Sequence, residues 1–500
     1  MFVDTIESDA LSQADLEAHF APFREGIIGQ DTRVETPYGS KPLVYADWIA
    51  SGRLYQPIED RILRDFGPLV ANTHTESNLT GTTMTRAYHH AHRIIKAHVN
   101  AGPGDVILTV GTGMTGAICK FQRILGLRVP EWVSEDVVIA QRRRPVIFVT
   151  HMEHHSNQTS WLETIGDVVV IPMGADGLVD PPQLEALLAE YADRETKIGA
   201  FTACSNVTGI RTPYHTLAKI MHAHGGLCFV DFAANAPYDP INMHPADPAE
   251  RLDAIYFSPH KFLGGPGSTG VLIFDRTLYR NRVPDNPGGG TVMWTNPWGG
   301  RSYIEDIEAR EDGGTPGFLQ AIRAALAVRV KEAMGVEAIK QREKELVHRA
   351  IDRLEAIPGL HVLAGAHRER IGAISFYIED LHYNLAVKML CNQYGIQVRG
   401  GCSCAGTYGH FLMHVGRERS KAITCQIDRG DQSAKPGWIR LSLHPTMTDA
   451  ELDYILHAID DLAANVDEYK QHYTYLPTTN EWTYRRSACA SPDVEEWFSI

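Results

Sequence analysis

From about residue 80 to 275, short β-branched and apolar runs alternate with stretches whose apolar positions recur at helical spacing. The strands this pattern predicts are VILTV (106–110), VIFVT (146–150), DVVVIP (167–172), IGAFTAC (198–204), LCFVDF (227–232), AIYFS (254–258) and VLIFD (271–275). Between them Leu184, Leu187, Leu188 and Tyr191 mark one helix, and Tyr214 to His224 marks another, stopped by Gly225-Gly226. Strand and helix in alternation predict an α/β domain with a mostly parallel sheet covered on both faces.

Asn286 to Gly317 is rich in Gly, Pro and Trp and reads as a long loop or lid. Beyond it the pattern predicts helices over about 318–334 and 338–355, strand 371–379, a helix near 385–394, strands IQVRG and WIRLSLH, and a last helix with Leu452, Ile455, Ile459 and Leu462 on one face. The predicted organisation is an N-terminal segment, 1–45, packing with the small domain, a large domain, 46–315, a smaller α/β domain, 316–466, and a tail, 467–500. Residues 405–437 are polar and read as an insertion within the small domain, and the tail reads as irregular.

Length and composition narrow the class. The 500 residues exceed a single ordinary domain, and 44% hydrophobic with 22% charged residues is a globular balance. Charge of 47 − 61 = −14 argues against a surface built for nucleic acid or anionic lipid. No apolar run reaches membrane-span length and the N-terminus lacks the pattern of a secretory signal, so a cytoplasmic protein is expected, with the sequons at Asn78, Asn157 and Asn206 arising by chance. The eight cysteines show no disulfide-framework spacing. Cys402-Ser403-Cys404 stands out as a nucleophile with a resolving thiol, a pair of metal ligands, or two loop cysteines without a role. A structural zinc site takes four ligands, which disfavours metal. His89, His90 and His92 read as a solvated helix face.

Three features carry chemistry. Ser258-Pro259-His260-Lys261-Phe262 follows a strand, where a lysine facing a cleft is partly desolvated and nucleophilic toward an aldehyde; a solvated loop lysine has the same local sequence. Asp231 ends the preceding strand, where parallel sheets gather ligand groups, and suits either a protonated pyridine nitrogen or a turn cap. Val110-Gly111-Thr112-Gly113-Met114-Thr115-Gly116 leads into a helix whose N–H groups can hold phosphate.

In this order, joined by Asn72-x-His74, Thr150 to Asn157 with Trp161, Ser205-Asn206-x-x-Gly209, Gly313-Gly314-Thr315-Pro316, Arg399 with Cys404, and Arg440-Leu-Ser, they resemble the class V aminotransferase superfamily of fold-type I pyridoxal-phosphate enzymes, most closely the cysteine desulfurase and selenocysteine lyase group. The resemblance implies a large domain with a mostly parallel seven-stranded sheet and a smaller C-terminal α/β domain. It implies pyridoxal 5′-phosphate on Lys261, which also moves the substrate α-proton, with His154 stacked on the ring and assisting proton transfer. Asp231 would pair with the ring nitrogen. Asn206 would sit beside the phenolic oxygen and the substrate carboxylate. Thr112, Gly113, Ser258 and His260 would hold the phosphate, completed by Thr315 of the neighbouring subunit of a homodimer. Arg440 would bind the substrate carboxylate, and Cys404 would take sulfur or selenium from L-cysteine or L-selenocysteine, leaving alanine and passing sulfur to an acceptor protein.

Three departures bear on the reaction, one of them the Cys402 and Cys404 pair where the family usually needs only one sulfur. The desulfurase group places a glutamine three residues after the aspartate, where this chain has Ala234, and Asn235 could replace it only if the turn shifts by one residue. The insertion after Cys404 stands where compact relatives have a short connection. The alternatives are another reaction of the same superfamily, a C–S lyase, aminotransferase or epimerase in which Cys404 is a spectator, and a protein that binds the cofactor without turnover. Trp294 and Trp298 are candidates for the substrate pocket or for a subunit interface.

Overall fold

The structure, a computed structural model, describes residues 13–73, 75–486 and 493–499; His74 of the Asn72-x-His74 motif lies outside them. The chain forms two compact units, Ala50–Ala333 and the combination of Met1–Ile49 with Met334–Ile500.

The larger unit is built on seven strands: β1 (Asp105–Val110), β2 (Val146–Val149), β3 (Asp167–Val170), β4 (Lys197–Thr202), β5 (Leu227–Asp231), β6 (Ala254–Phe257) and β7 (Gly270–Asp275), in the order β1-β7-β6-β5-β4-β2-β3. Strands β6, β5, β4, β2 and β3 run parallel, and β7 is antiparallel to both β6 and β1. Two reversals bring β1 back to the direction of β6, so the C-terminal ends of β1, β2, β4, β5 and β6 share one edge of the sheet. Continuous apolar runs such as Val146–Val149, buried at every position, are what a sheet covered on both faces requires. Helices α1 (Leu79–His98), α2 (Met114–Ile124) and α3 (His155–Leu162) belong to this unit, and α2 presents Ala117, Ile118 and Phe121 to the core shared with Phe229, Tyr256 and Leu272. The segment expected as a plain loop contains a hairpin, β8 (Val292–Thr295) with β9 (Arg301–Tyr303), and a short helix, Ile307–Glu311. The unit ends in α4 (Phe318–Met334).

In the smaller unit, strands β10 (Leu360–Val362), β11 (Ala373–Ile378), β12 (Arg399–Gly401) and β13 (Trp438–Ser442) form an antiparallel sheet in the order β10-β11-β13-β12. Helices α5 (Val336–Glu355) and α6 (Asp449–Ala464) supply Leu346, Ile351, Ile455 and Ile459 to its core. The expected single strand IQVRG is two: Ile396–Gln397 pairs in parallel with Val44–Tyr45, and Arg399–Gly401 pairs with β13. The polar 405–437 segment is largely helical, over Gly406–Leu412 and Arg417–Asp428.

The tail expectation fails. Residues Tyr473–Leu476 and Glu481–Tyr484 form a hairpin, β14 and β15, with Tyr473 buried and its hydroxyl accepting from Asn392 Nδ2 at 3.2 Å. Its turn residue Asn480, at φ 59°, donates from Nδ2 to the Tyr383 hydroxyl at 2.6 Å, and Gln432 of the insertion donates through its backbone N–H to Pro477 O at 3.0 Å. Alternating aromatic side chains, Tyr473 and Tyr475 on one strand and Trp482 and Tyr484 on the other, make the segment a two-stranded ribbon. His92 also departs from expectation: it is buried and hydrogen-bonded to Thr109 at 3.3 Å, while His89 and His90 are exposed. Among the described residues no helix is long and apolar enough to cross a membrane.

Candidate active site

In the larger unit, the predicted site residues gather at the shared edge of the sheet. Gly113 ends the loop after β1, His154 follows β2, Asn206 lies in the turn after β4, Asp231 closes β5, and Ser258, His260 and Lys261 follow β6 in a tight helical turn. The C-terminal ends of parallel strands leave their loops free to converge on a ligand.

Ser258 Oγ accepts the Met114 N–H at 2.8 Å, tying the β6 turn to the first residue of α2. A Cβ placed on Gly113 would lie 3.1 Å from Ser258 Oγ and 3.7 Å from the His260 ring, so the glycine keeps the space between the helix terminus and these two side chains open. Burial, reinforced by the neighbouring Lys261 charge, lowers the His260 pKa to about 4, so at neutral pH the ring is an uncharged hydrogen-bonding partner. Thr112 is exposed at the rim, and Thr115 Oγ1 is 2.8 Å from Ser156 Oγ. An 11-residue helix opening onto a serine, a histidine and a glycine gap fits a phosphate.

Asp231 is buried, accepts the Ala233 N–H at 2.8 Å, and feels the Lys261 charge. Desolvation outweighs both favourable contacts and pushes its carboxyl up to about 6. A buried carboxylate with this deficit fits a cationic ring nitrogen, which would supply the charge the protein withholds. His154 caps α3, its Nδ1 accepting the Ser156 N–H at 3.1 Å, which leaves Nε2 as the protonated ring nitrogen. Asn206 is buried. Asn235 is turned inward, its Nδ2 donating to Asp239 Oδ2 at 3.1 Å, so it does not take the place of the absent glutamine. Thr315 is exposed and accepts from Asn72 Nδ2 at 3.1 Å. Trp294 and Trp298 on the β8–β9 hairpin are exposed in the single chain.

One buried acid went unnoticed in the sequence. Glu153 accepts from Thr150 N at 3.2 Å, Thr150 Oγ1 at 2.6 Å, Asn157 Nδ2 at 2.7 Å and Thr202 N at 2.8 Å, joining the ends of β2 and β4 to α3 beside His154. Burial pushes its pKa up to about 8. Its place between Met152 and His154, with Asn157 one helical turn on, was the available signal.

The smaller unit carries a second cluster. Arg440 on β13 is buried and donates from Nη2 to Asp47 Oδ1 at 2.8 Å, while Arg399 on β12 donates from Nε to Asp47 Oδ2 at 3.0 Å. Burial pulls the Arg440 pKa down against the Asp47 charge, and the Cys404 sulfur lies within electrostatic reach of this guanidinium. Cys404 is exposed, at φ 56°, in the turn leaving β12. Asp47 was also missed; its signal is a lone acid in the apolar run Val44 to Ile49.

A doubly wound sheet with a helix-terminus anion cradle, a lysine and a buried aspartate at its switch edge defines the fold-type I class. The family model for the class-V aminotransferases matches residues 44–455, and the chain belongs to that family. Among its relatives are proteins described as probable cysteine desulfurases from Staphylococcus epidermidis, 31% identical over 76% of this chain and 87% of the relative, and from Halalkalibacterium halodurans, 29% identical over 73% and 84%. Solved structures with this fold include the cysteine desulfurase CsdA of Escherichia coli in its S-sulfonic acid form, at TM-score 0.67 and 20% identity over 92% of this chain and all of that one. The apo cysteine desulfurase of Thermococcus onnurineus superposes at TM-score 0.68 with 21% identity, covering 85% and 95%.

Proposed function

We propose that the chain is a pyridoxal-phosphate-dependent cysteine desulfurase, taking sulfur from L-cysteine, or selenium from L-selenocysteine, and leaving alanine. The observation that carries this reading is Cys404, an exposed thiol in a strained turn within reach of a buried arginine, in a chain whose relatives are described as cysteine desulfurases.

Lys261 would hold the cofactor aldehyde, Asp231 the ring nitrogen, His154 the ring face, and Thr112, Gly113, Ser258 and His260 the phosphate, with Thr315 serving the neighbouring subunit of a homodimer. When bound, the cofactor supplies a protonated ring that takes up the electron pair left on the substrate α-carbon. Lys261 Nζ would take and return the α-proton, with His154 assisting that transfer. Arg440 pairs with the substrate carboxylate, a task suited to a planar guanidinium that Asp47 holds in place. Ala234 has no side-chain hydrogen-bonding group and Asn235 is engaged by Asp239, and Asn206 would serve the phenolic oxygen. Cys404, as thiolate, attacks the substrate sulfur; an S–S bond forms, the C–S bond breaks, and protonation of the carbon released gives alanine. The persulfide sulfur then passes to an acceptor protein or to a thiol.

The test is the product balance from L-cysteine with a thiol reductant present, for the parent and for Cys404→Ala with its cofactor absorbance intact. Equimolar alanine and sulfide, lost in the variant, is the expected result. Pyruvate in place of alanine, or a variant as active as the parent, would overturn the assignment.

A further inference from the structure

The Cys402-Ser403-Cys404 segment has a conformation that the proposed reaction does not itself require. Ala405 donates its N–H to Cys402 O at 3.0 Å, closing a four-residue turn, and both central residues have positive φ, Ser403 at 51° and Cys404 at 56°. This is the handedness of a type I′ turn, normally filled by Gly or Asn. Neither residue is glycine, and each costs on the order of 1 kcal/mol or more in that region. The turn is held from outside: Ser403 is buried with its Oγ accepting Trp438 Nε1–H at 3.2 Å, and a Cβ on Gly437 would come within 2.9 Å of Gly401 Cα. Such a turn shortens the separation of residues two apart to the helical value of about 5.4 Å, inside the range of about 4.4–6.8 Å over which Cα pairs accept a disulfide. An extended Cys-Ser-Cys would sit near 7 Å, beyond it. Cys402 is half-buried and within electrostatic reach of Tyr383, and Cys404 is exposed.

From this geometry, and resting on the desulfurase reading, we propose that Cys402 is a resolving thiol for the Cys404 persulfide. The Cys402 thiolate attacks Cys404 Sγ. The Cys402–Cys404 S–S bond forms, the bond from Cys404 to the outer sulfur breaks, and that sulfur leaves with the bonding pair and one proton as hydrosulfide. The persulfide is reduced to sulfide, and the two cysteines are left oxidised as a disulfide. A thiol or dithiol reductant then returns both to thiols with two electrons and two protons. The enzyme thereby ejects sulfide without an acceptor docking on Cys404, once per reduction.

The experiment is a single turnover of the holoenzyme, reduced, freed of reductant under anaerobic conditions, and given one equivalent of L-cysteine per subunit. Alanine and free sulfide are measured, and the peptide carrying residues 402–404 is weighed after alkylation. The expected result is one alanine and about one sulfide per subunit with both cysteines blocked from alkylation as a disulfide. In Cys402→Ser the extra sulfur stays on Cys404, and sulfide released before a thiol is added falls at least about tenfold, since no intramolecular thiol competes. Alanine formed by a parent enzyme that keeps the sulfur on Cys404 with Cys402 alkylated would overturn the resolving role and leave the desulfurase reading standing. No alanine at all would overturn both.

Discussion

Replacing Asp231 by Asn should stabilise the cofactor-free protein at neutral pH while weakening its hold on the cofactor. The carboxyl is fully buried, and its pKa rises from the ordinary 3.8 to about 6 because desolvation outweighs the Ala233 N–H and the Lys261 charge. The folded protein therefore keeps this proton across a window, about pH 4 to 6, in which the unfolded chain loses it. Stability falls as pH rises through that window and stays lower above it, by about 3 kcal/mol at 1.36 kcal/mol per pH unit. Asparagine carries no such penalty. The difference in urea unfolding free energy between Asp231→Asn and the parent, both without cofactor, should thus move by about 3 kcal/mol in favour of the variant between pH 3.5 and pH 7. Taking the difference cancels the titration of groups that both proteins share. Added cofactor should reverse the ranking, because a cationic ring nitrogen pairs with the carboxylate and not with the amide. A difference that stays flat with pH, or a variant destabilised at pH 7 and not at pH 3.5, would refute the reasoning.

Four further outcomes follow from the same geometry. Asp47→Ala leaves Arg440 buried without the carboxylate that Asp47 supplies and should cost about 3–5 kcal/mol in urea unfolding of the smaller unit; a loss under about 1 kcal/mol would contradict the pairing. Ser258→Ala removes the acceptor of the Met114 N–H and one phosphate partner, and should weaken cofactor binding at least about tenfold by absorbance titration, a loss of about 1.4 kcal/mol. Glu153→Leu leaves the Thr150 and Thr202 N–H groups without their acceptor and takes from the Asn157 amide one of its two, Ala200 O remaining, and should cost about 3 kcal/mol or more, visible as a lowered thermal midpoint with the His154 turn loosened in hydrogen exchange. Tyr473→Ala removes the anchor of the C-terminal hairpin and should cost about 3 kcal/mol, whereas a disordered tail would register no change.

The parallel sheet was legible because its strands are unbroken apolar runs bounded by glycine, proline or acid, and burial on both faces permits no other composition. The residues at its edge were legible for a related reason: Asp231 is the last residue of an apolar strand and Lys261 comes four residues after the end of another, places where a charge is out of place unless it is used. What escaped was whatever depends on partners distant in sequence. Asp47 acquires its meaning from Arg440 and Arg399, some 350 residues away or more, and nothing local announces that. Glu153 looks like an ordinary turn acid until four donors from two strands and a helix converge on it. The C-terminal hairpin pairs short mixed strands whose alternation is masked by threonine and asparagine, and Tyr473 finds its burial against a helix some 80 residues earlier. Likewise Cys402-Ser403-Cys404 is legible as a pair of thiols but not as a left-handed turn, because nothing in three such residues favours positive φ.

The central claim is that Cys404 receives the substrate's sulfur. The most direct measurement uses L-cysteine carrying a heavy sulfur isotope, with the holoenzyme of Cys402→Ser quenched within one turnover and the peptide containing residue 404 weighed. The account predicts one heavy sulfur atom on Cys404 for each alanine formed. Heavy sulfide in solution with no label on Cys404 at any time, or label accompanied by pyruvate in place of alanine, would contradict it.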